Sequence, residues 1–169
     1  MLRGDTLMTG SNPAVMNQAP ITEPVEGEAI DTRFGQVQLY RRQPIMFLNG
    51  LLGMPDKVQF CLTNFPSEKM ARFKLLQSLE DHALSFITLP LDMTNPIIER
   101  GDMEQAAKDL DIPADQLAAL LIVSVHREPG GTKLSVNARA PIFMHAAKRV
   151  ATQYVFPHTK YDIRRMITL

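Results

Sequence analysis

The residues of this chain best suited to acid–base or metal chemistry are its histidines and the acidic pair beside the first of them. Histidines stand at positions 82, 126, 145 and 158. His82 directly follows Glu80 and Asp81, and this trio could supply a general acid and a general base, or simply form a solvated corner between two strands. His126 and His145 could approach each other across a sheet, although no histidine pair has the spacing of a helical metal site. The pattern favours structural histidines, with a histidine-lined ligand pocket or enzyme site as the alternative.

Other sequence motifs for metal, cofactor or ligand binding are weak. The single cysteine, Cys61, excludes an internal disulfide framework and a multi-cysteine zinc site, and its place in an apolar alternation indicates a buried side chain. The glycines are too few and wrongly spaced for a dinucleotide-binding or phosphate-binding loop. The chain has no tryptophan, so a stacking platform for bases or sugars is poorly supplied. We therefore predict neither a metal nor a cofactor.

Composition and charge narrow the class of protein. The 169 residues are 45% hydrophobic and 21% charged, which is ordinary for one globular domain. Eighteen Lys and Arg balance 18 Asp and Glu, whereas a protein that neutralises phosphates would show a basic excess. No apolar run reaches the length of about 20 residues that spans a membrane, and no secretory signal is recognisable. We expect a cytoplasmic protein without direct nucleic-acid or membrane binding.

The balanced total hides two charged segments. Between positions 92 and 115 there are seven acidic residues against Arg100 and Lys108, and from Arg139 onward there are six basic residues against Asp162. Opposed patches of this kind would suit protein partners, because complementary charge steers association. The equally good alternative is that these charges are dispersed around a small domain.

Residues 1–31 differ in texture from the rest. They contain three prolines, no aromatic residue, and five acidic residues against one basic residue. Such a segment buries too little apolar surface to offset the entropy lost on ordering. We predict a disordered acidic tail over residues 1–31 and one folded domain over residues 32–169.

Short apolar alternations separated by turn signals fill most of the predicted domain. This pattern favours an antiparallel β-barrel or sandwich over a parallel α/β fold. One or two short helices interrupt it, the first with Asp102 at its N-cap and the second beginning at Pro113. The predicted strands cover residues 33–40, 44–48, 58–62, 73–79, 84–89, 120–125, 133–140, 141–145 and 148–156.

Six segments, in order, resemble the flagellar assembly factor FliW family. The most specific is residues 73–87, which resemble the family's Leu-Gln-Ser-x-Glu-Asp-x-x-Leu-x-Phe signature. The others resemble the family's opening strand, Gly-Leu-x-Gly segment, central strand, Ala-Pro-Ile strand and closing Tyr-x-x-Arg. They lie at residues 32–37, 44–53, 121–125, 135–142 and 161–164.

The resemblance implies a fold and a function. Proteins of this family are small β-barrels with short helices and are not enzymes. They bind flagellin monomers in the cytoplasm, and they also bind CsrA, an RNA-binding repressor of flagellin translation, and stop it from acting. The two partners compete, which couples flagellin synthesis to export. We therefore expect a non-enzymatic regulator that is monomeric when free.

The predicted partner-binding residues lie in two segments: Gln77, Ser78, Leu79, Glu80 and Asp81 in the signature, and Asn137 and Arg139 in the later strand. Glu80 and Asp81 would offer negative charge to a basic repressor. Alternatively, Ser78 and Asp81 close a turn by bonding backbone amides.

For the second segment, period 2 places Asn137 and Arg139 on one strand face, and a structural hydrogen bond is the alternative for Asn137. Near the end of the chain, Tyr161 and Arg164 are predicted to fasten the C-terminal segment to the barrel.

Overall fold

The computed structural model describes residues 26–91 and 97–168. Eleven strands and one α-helix are formed by these residues, with short 3-10 turns at Glu68–Met70 and Ala114–Gln116. The helix α1 is Arg100–Asp109. The strands are β1 Glu28–Thr32, β2 Gly35–Leu39, β3 Ile45–Phe47, β4 Gln59–Asn64, β5 Lys74–Ser78, β6 Ser85–Pro90, β7 Leu117–Glu128, β8 Gly131–Val136, β9 Ile142–His145, β10 Val150–Gln153 and β11 Arg165–Ile167.

Seven of the strands close into a barrel in the order β7-β6-β5-β4-β3-β10-β9, with β9 returning to β7. The predicted small, mainly β barrel is confirmed. Neighbouring strands are antiparallel except for β3 and β10, which pair in parallel through Met46 with Val150 and Phe47 with Ala151. The far part of β7 leaves the barrel and pairs with β8, which in turn pairs with β11.

The barrel wall is buried on both of its faces. Neighbouring residues such as Leu75 and Leu76, or Leu120 and Leu121, are both buried although their side chains point to opposite faces. This explains why residues 120–123 of β7 appear in the sequence as a continuous apolar run. The interior cluster consists of Ile45, Phe47, Leu51, Phe60, Leu76, Leu120, Ile142 and Ala151.

A second, larger core lies outside the barrel. It is formed where the β1–β2 hairpin, α1 and the C-terminal segment cover the outer face, and it includes Leu39, Phe73, Ile98 and Phe156. Cys61 belongs to this core with 1% of its surface exposed, which confirms the prediction of a buried side chain. Burial raises the pKa of its thiol.

The predicted boundary of the acidic tail is wrong at its C-terminal end. Glu28–Thr32 form β1, an antiparallel partner of β2 in which Ile30 lies opposite Val37. A hairpin on the outside of the barrel buries few side chains, and in β1 only Ile30 is buried. The strand is therefore as polar as a disordered tail, which is why the sequence pattern did not distinguish the two. Residues 1–25 of the predicted tail lie outside the described residues.

Four other predicted elements are corrected. The helix begins at Arg100 after Glu99, so Asp102 lies in its first turn and is not the N-cap. The second predicted helix is only the 3-10 turn at Ala114–Gln116. The strand predicted over residues 133–140 ends at Val136, and the strand predicted over residues 148–156 covers only Val150–Gln153.

The C-terminal segment contributes a strand that the sequence pattern did not predict. In β11, Met166 pairs with Ser135 of β8, yet two of the three residues of β11 are exposed. Along the described parts of the chain, no helix has the length and apolar character needed to cross a membrane.

Candidate partner-binding surfaces

The corner between β5 and β6, residues 77–84, is held together by a buried amide. Gln77 is fully buried, and its Nε2 lies within 3.0–3.3 Å of the carbonyl oxygens of Ser78, Asp81, His82 and Leu84. Two N–H groups are shared among four acceptors, so the side chain fixes the path of the whole corner. Gln77 therefore faces inward and presents no surface to a partner.

Two further side chains of the corner close the turn. The Ser78 hydroxyl accepts hydrogen bonds from the backbone N–H of Glu80 at 3.2 Å and of Asp81 at 3.1 Å. The Asp81 carboxylate accepts one from the backbone N–H of Ala83 at 2.9 Å. This confirms the interpretation that Ser78 and Asp81 close a turn by bonding backbone amides.

Glu80 joins the corner to the start of β4. Its Oε2 accepts hydrogen bonds from the backbone N–H of Val58 at 2.8 Å and of Gln59 at 3.1 Å. Leu79 donates its own N–H to the Gln59 carbonyl, and its half-buried side chain packs against the outer core. The negative charge predicted to meet a partner is thus already hydrogen-bonded within the barrel, although Glu80 remains exposed.

The histidines that could have formed a ligand pocket lie apart. His82 is at the corner beside Arg41, with 3.0 Å between Nε2 and Nη2, whereas His126 bonds the Ser135 hydroxyl at 2.7 Å. His145 pairs with Leu117 at the start of β7, nine residues before His126, which is about 30 Å along a strand. No group of three His, Cys, Asp or Glu side chains within residues 26–91 and 97–168 could hold a metal ion.

The prediction that Asn137 and Arg139 share a strand face is wrong, because β8 has already ended at Val136. Asn137 donates its N–H to the Ile122 carbonyl at 3.0 Å, and its Oδ1 accepts the N–H of Ala140 at 3.0 Å. The side chain therefore closes a turn, as the structural alternative for Asn137 proposed. Arg139 is half-buried beside Arg164 and Ile163 in a shallow surface groove.

The two charged segments contact each other across the outer core. Lys160 forms ion pairs with Glu99 at 2.6 Å and Asp102 at 2.9 Å, and the buried Tyr161 accepts the Glu99 N–H and donates to Asp102. The Tyr161 hydroxyl and Lys160 hold the pKa of Asp102 below its ordinary value. Bonds to Glu99 and Asp102 raise the pKa of Lys160.

The same junction has two further bonds. The Tyr154 hydroxyl donates to Asp109, which lowers the pKa of that carboxyl, and Arg165 donates to the Ile97 carbonyl at 2.9 Å. The structure thus confirms that Tyr161 fastens the C-terminal segment, whereas Arg164 is exposed and the neighbouring Arg165 makes the contact. The two charged segments therefore meet at Lys160, which pairs with two of the acidic residues, Glu99 and Asp102.

An exposed apolar loop between β3 and β4 was missed by sequence reasoning. Leu48 and Leu52 are 73% and 57% exposed, beside a groove of about 440 Å³ lined in part by Leu110, Ile112 and Phe143. The turn depends on Gly50, which has a φ of 63° and no room for a Cβ against the Met54 carbonyl. Leucines beside a turn dipeptide are the signal that could have identified this surface.

Comparison with known proteins identifies relatives along nearly all of the described chain. The family model described as "FliW protein" matches residues 28–167. A protein named flagellar assembly factor FliW from Syntrophus aciditrophicus is 30% identical over 135 residues, covering 79% of this chain and 82% of the relative. One of the same name from Bdellovibrio bacteriovorus is 32% identical over 141 residues, covering 80% and 76%.

A solved structure shares the fold. The crystal structure of the flagellar assembly factor FliW aligns with a TM-score of 0.59 and 23% identity, covering 82% of this chain and 96% of that one. At this identity the likeness establishes the architecture alone, and it agrees with the barrel described above.

Proposed function

The chain belongs to the FliW family of flagellar assembly factors, and from that premise we propose that it binds flagellin and the repressor CsrA as alternative partners. A role in flagellar assembly follows from the family itself. The observation that carries the proposal is the match of the family model to residues 28–167, which include almost every described residue.

In this proposal the protein acts by binding one partner or the other, and not by catalysis. Free flagellin holds the protein in the cytoplasm and leaves CsrA able to repress flagellin translation. Export of flagellin releases the protein, which then binds CsrA and relieves the repression. A monomer with two mutually exclusive partners is sufficient for this coupling, and no metal or cofactor takes part.

In that role, the geometry favours a shape-keeping function for some of the predicted residues and partner contact for others. Gln77, Ser78 and Asp81 hold the corner by internal hydrogen bonds, so they would act on a partner only through the shape of the barrel end. The outward parts of Leu79 and Glu80, together with the exposed His82 and Ala83, are portions of the corner that a partner could touch. Arg139 is likewise half-exposed, whereas Asn137 is committed to its turn.

The proposal is tested by calorimetry of the full-length chain with purified flagellin and, separately, with CsrA from the same organism. We expect binding to each at micromolar concentrations, and we expect flagellin to displace CsrA. A monomeric protein of similar charge and size that is unrelated to either partner serves as the control. Binding to neither partner would overturn the proposal, and simultaneous binding of both would overturn the competition.

A further inference from the structure

The long strand β7 is paired on both edges in its first half and on one edge in its second. Its ladder with β6 ends at the pair of Thr88 and Ile122, yet β7 continues six residues further, to Glu128. Over that second half, β8 covers the opposite edge from Val136 to Gly131. Beyond Ile122, therefore, β6 and β7 separate and leave a wedge between them.

The backbone of β7 shows which groups face the wedge. Ile122 accepts a hydrogen bond from Asn137, on the β8 side, and Ala119 accepts one from Leu91, on the β6 side. Because backbone groups point alternately to the two edges of a strand, those of Val125 and Arg127 point toward the wedge. No strand among the described residues pairs with them there, and we call this stretch the open edge of β7.

An apolar groove of about 990 Å³ lies beside the open edge. Side chains of Val123 and Val125 line it, because they share one face of β7, and Leu134 of β8 continues that face. Phe86 on β6 and Phe34 at the hairpin turn form the opposite side. Val125 is 44% exposed, so this apolar surface extends from the buried outer core into solvent.

The charges of the groove are of one sign. Arg33 and Arg127 line it, and none of its lining residues is acidic. Arg33 is held in position by a 3.2 Å hydrogen bond to the Ser85 carbonyl and by its place over the Phe34 ring. Guanidinium groups favour carboxylates, with which they form short, directed hydrogen bonds.

The same charges disfavour a second copy of this chain as the occupant. Two copies pairing edge to edge through β7 would bring Arg33 and Arg127 of both copies into a single interface. Four like charges without an acidic partner would oppose that association. An extended segment that carries its own carboxylate meets both requirements of the site, the unpaired backbone and the positive charge.

We propose that the open edge of β7 binds an extended segment of a partner protein by strand addition. Alternate apolar side chains of the segment fill the groove, and a carboxylate on the same face of the segment bonds Arg127 and Arg33. The assignment of the segment to a protein partner rests on the proposed function. The open edge itself and its chemistry stand on the geometry alone.

A synthetic probe tests the site directly. The blocked peptide acetyl-Thr-Glu-Thr-Val-Thr-Val-Thr-amide places Glu and both Val side chains on one face of a strand. Titrated into the full-length protein, it is expected to slow hydrogen exchange at the Val125 and Arg127 amides by roughly tenfold or more. Absence of protection at both amides at millimolar peptide would overturn the proposal.

Charge-swap variants provide the matched control. We expect Arg127→Glu to weaken binding of the peptide about tenfold and to restore binding of the same peptide with Lys in place of Glu. Arg42→Glu, an exposed arginine beyond the opposite end of β2, should leave binding of either peptide unchanged. Equal affinity of the wild type and Arg127→Glu for the Glu peptide would contradict the assigned role of the carboxylate.

Competition separates this inference from the proposed function. If the peptide binds and displaces flagellin or CsrA, both are supported. If the peptide binds but neither protein does, the open edge stands and the proposed function falls. If flagellin or CsrA binds but the peptide does not, or does not compete, the proposed function stands and the docking of those partners on this edge is overturned.

Discussion

The first three residues of β6 have very different neighbours on their two sides. Toward β5, Ser85 pairs with Gln77, and the corner beyond them bonds every polar side chain named in its signature to the backbone. Toward β7, the ladder has not yet begun, and the Ser85 carbonyl is bonded only by the Arg33 side chain. One side of the strand is closed by internal hydrogen bonds, and the other is a groove with unpaired backbone.

The difference separates what maintains the barrel from what can recognise another molecule. Polar residues grouped in a signature invite a functional interpretation, but here each of them already bonds the backbone of the barrel, although the buried Oε1 of Gln77 has no partner. The groove is lined by valines, phenylalanines and two arginines, which attract no attention in the sequence. The backbone groups of β7 beside it, however, can still form hydrogen bonds. Substitutions should therefore alter stability on the β5 side of β6 and binding on the β7 side.

The largest loss of stability is expected for Gln77→Ala. This change removes the donor that four backbone carbonyls share and leaves a cavity in a fully buried position. We expect the free energy of unfolding to fall by about 3 kcal/mol in denaturant titrations. Gln36→Ala, at an exposed position of β2, should cost less than about 0.5 kcal/mol. Similar losses for the two variants would contradict the role of the buried amide.

A smaller loss should follow from Glu80→Lys, which removes the acceptor of two backbone N–H groups at the start of β4. We expect about 1–2 kcal/mol by chemical denaturation, whereas Glu80→Gln keeps an accepting oxygen and should lose roughly half as much. If Glu80 instead serves a partner by its charge, both variants would retain stability and weaken CsrA association at low salt.

The junction between α1 and the C-terminal segment resembles the closed side of β6, because its polar groups are also paired internally. Tyr161→Phe removes the hydroxyl that bonds Glu99 and Asp102 and should cost about 1 kcal/mol at neutral pH. The pKa of Asp102 lies below its ordinary value of 3.8, so its contribution is present above that pH and is lost as the pH falls through the folded value.

The advantage of the wild type over Tyr161→Phe should therefore shrink below about pH 4. Unfolding curves measured at neutral and acidic pH, with an NMR titration of the Asp102 carboxyl in both proteins, check this. An advantage that stays constant at acidic pH would show that the Asp102 bond is not responsible.

The smallest change in stability is expected on the open side. Arg127→Glu alters an exposed side chain and should shift the free energy of unfolding by less than about 0.5 kcal/mol, while binding of an acidic extended segment weakens about tenfold. A large loss of stability in this variant would place Arg127 among the residues that maintain the fold and would remove the contrast between the two sides.

Sequence reasoning predicted the barrel strands well for a physical reason. A wall buried on both faces requires apolar runs, such as residues 120–123, which are recognisable without structure. The strands β1 and β11 were not predicted because the outer layers of the fold bury few side chains. In β1, Ile30 is the only buried residue. The Asn137 turn was mistaken for strand because an alternation can continue past the point where pairing stops.

The binding surfaces were harder to predict from the sequence. Glu80 was predicted to offer its charge to a partner, and its internal role was missed because its hydrogen-bond donors lie 21 and 22 residues earlier in the chain, where only the folded barrel brings them together. The separated acidic and basic segments could not be recognised as contacting neighbours for the same reason. The open edge depends on the point at which β6 and β7 diverge, and no residue type in either strand indicates that point.

Amide hydrogen exchange of the free, full-length protein tests the central contrast most directly. Leu121 and Val125 point their backbone groups toward the same edge of β7. On that edge Leu121 lies opposite Leu89 of β6, whereas Val125 has no strand opposite it among the described residues. We predict that the Leu121 amide is protected at least about a hundredfold more strongly than that of Val125, while Ser124 and His126, paired to β8, remain protected. Equal protection of Leu121 and Val125 would show that the edge is closed and would contradict the account.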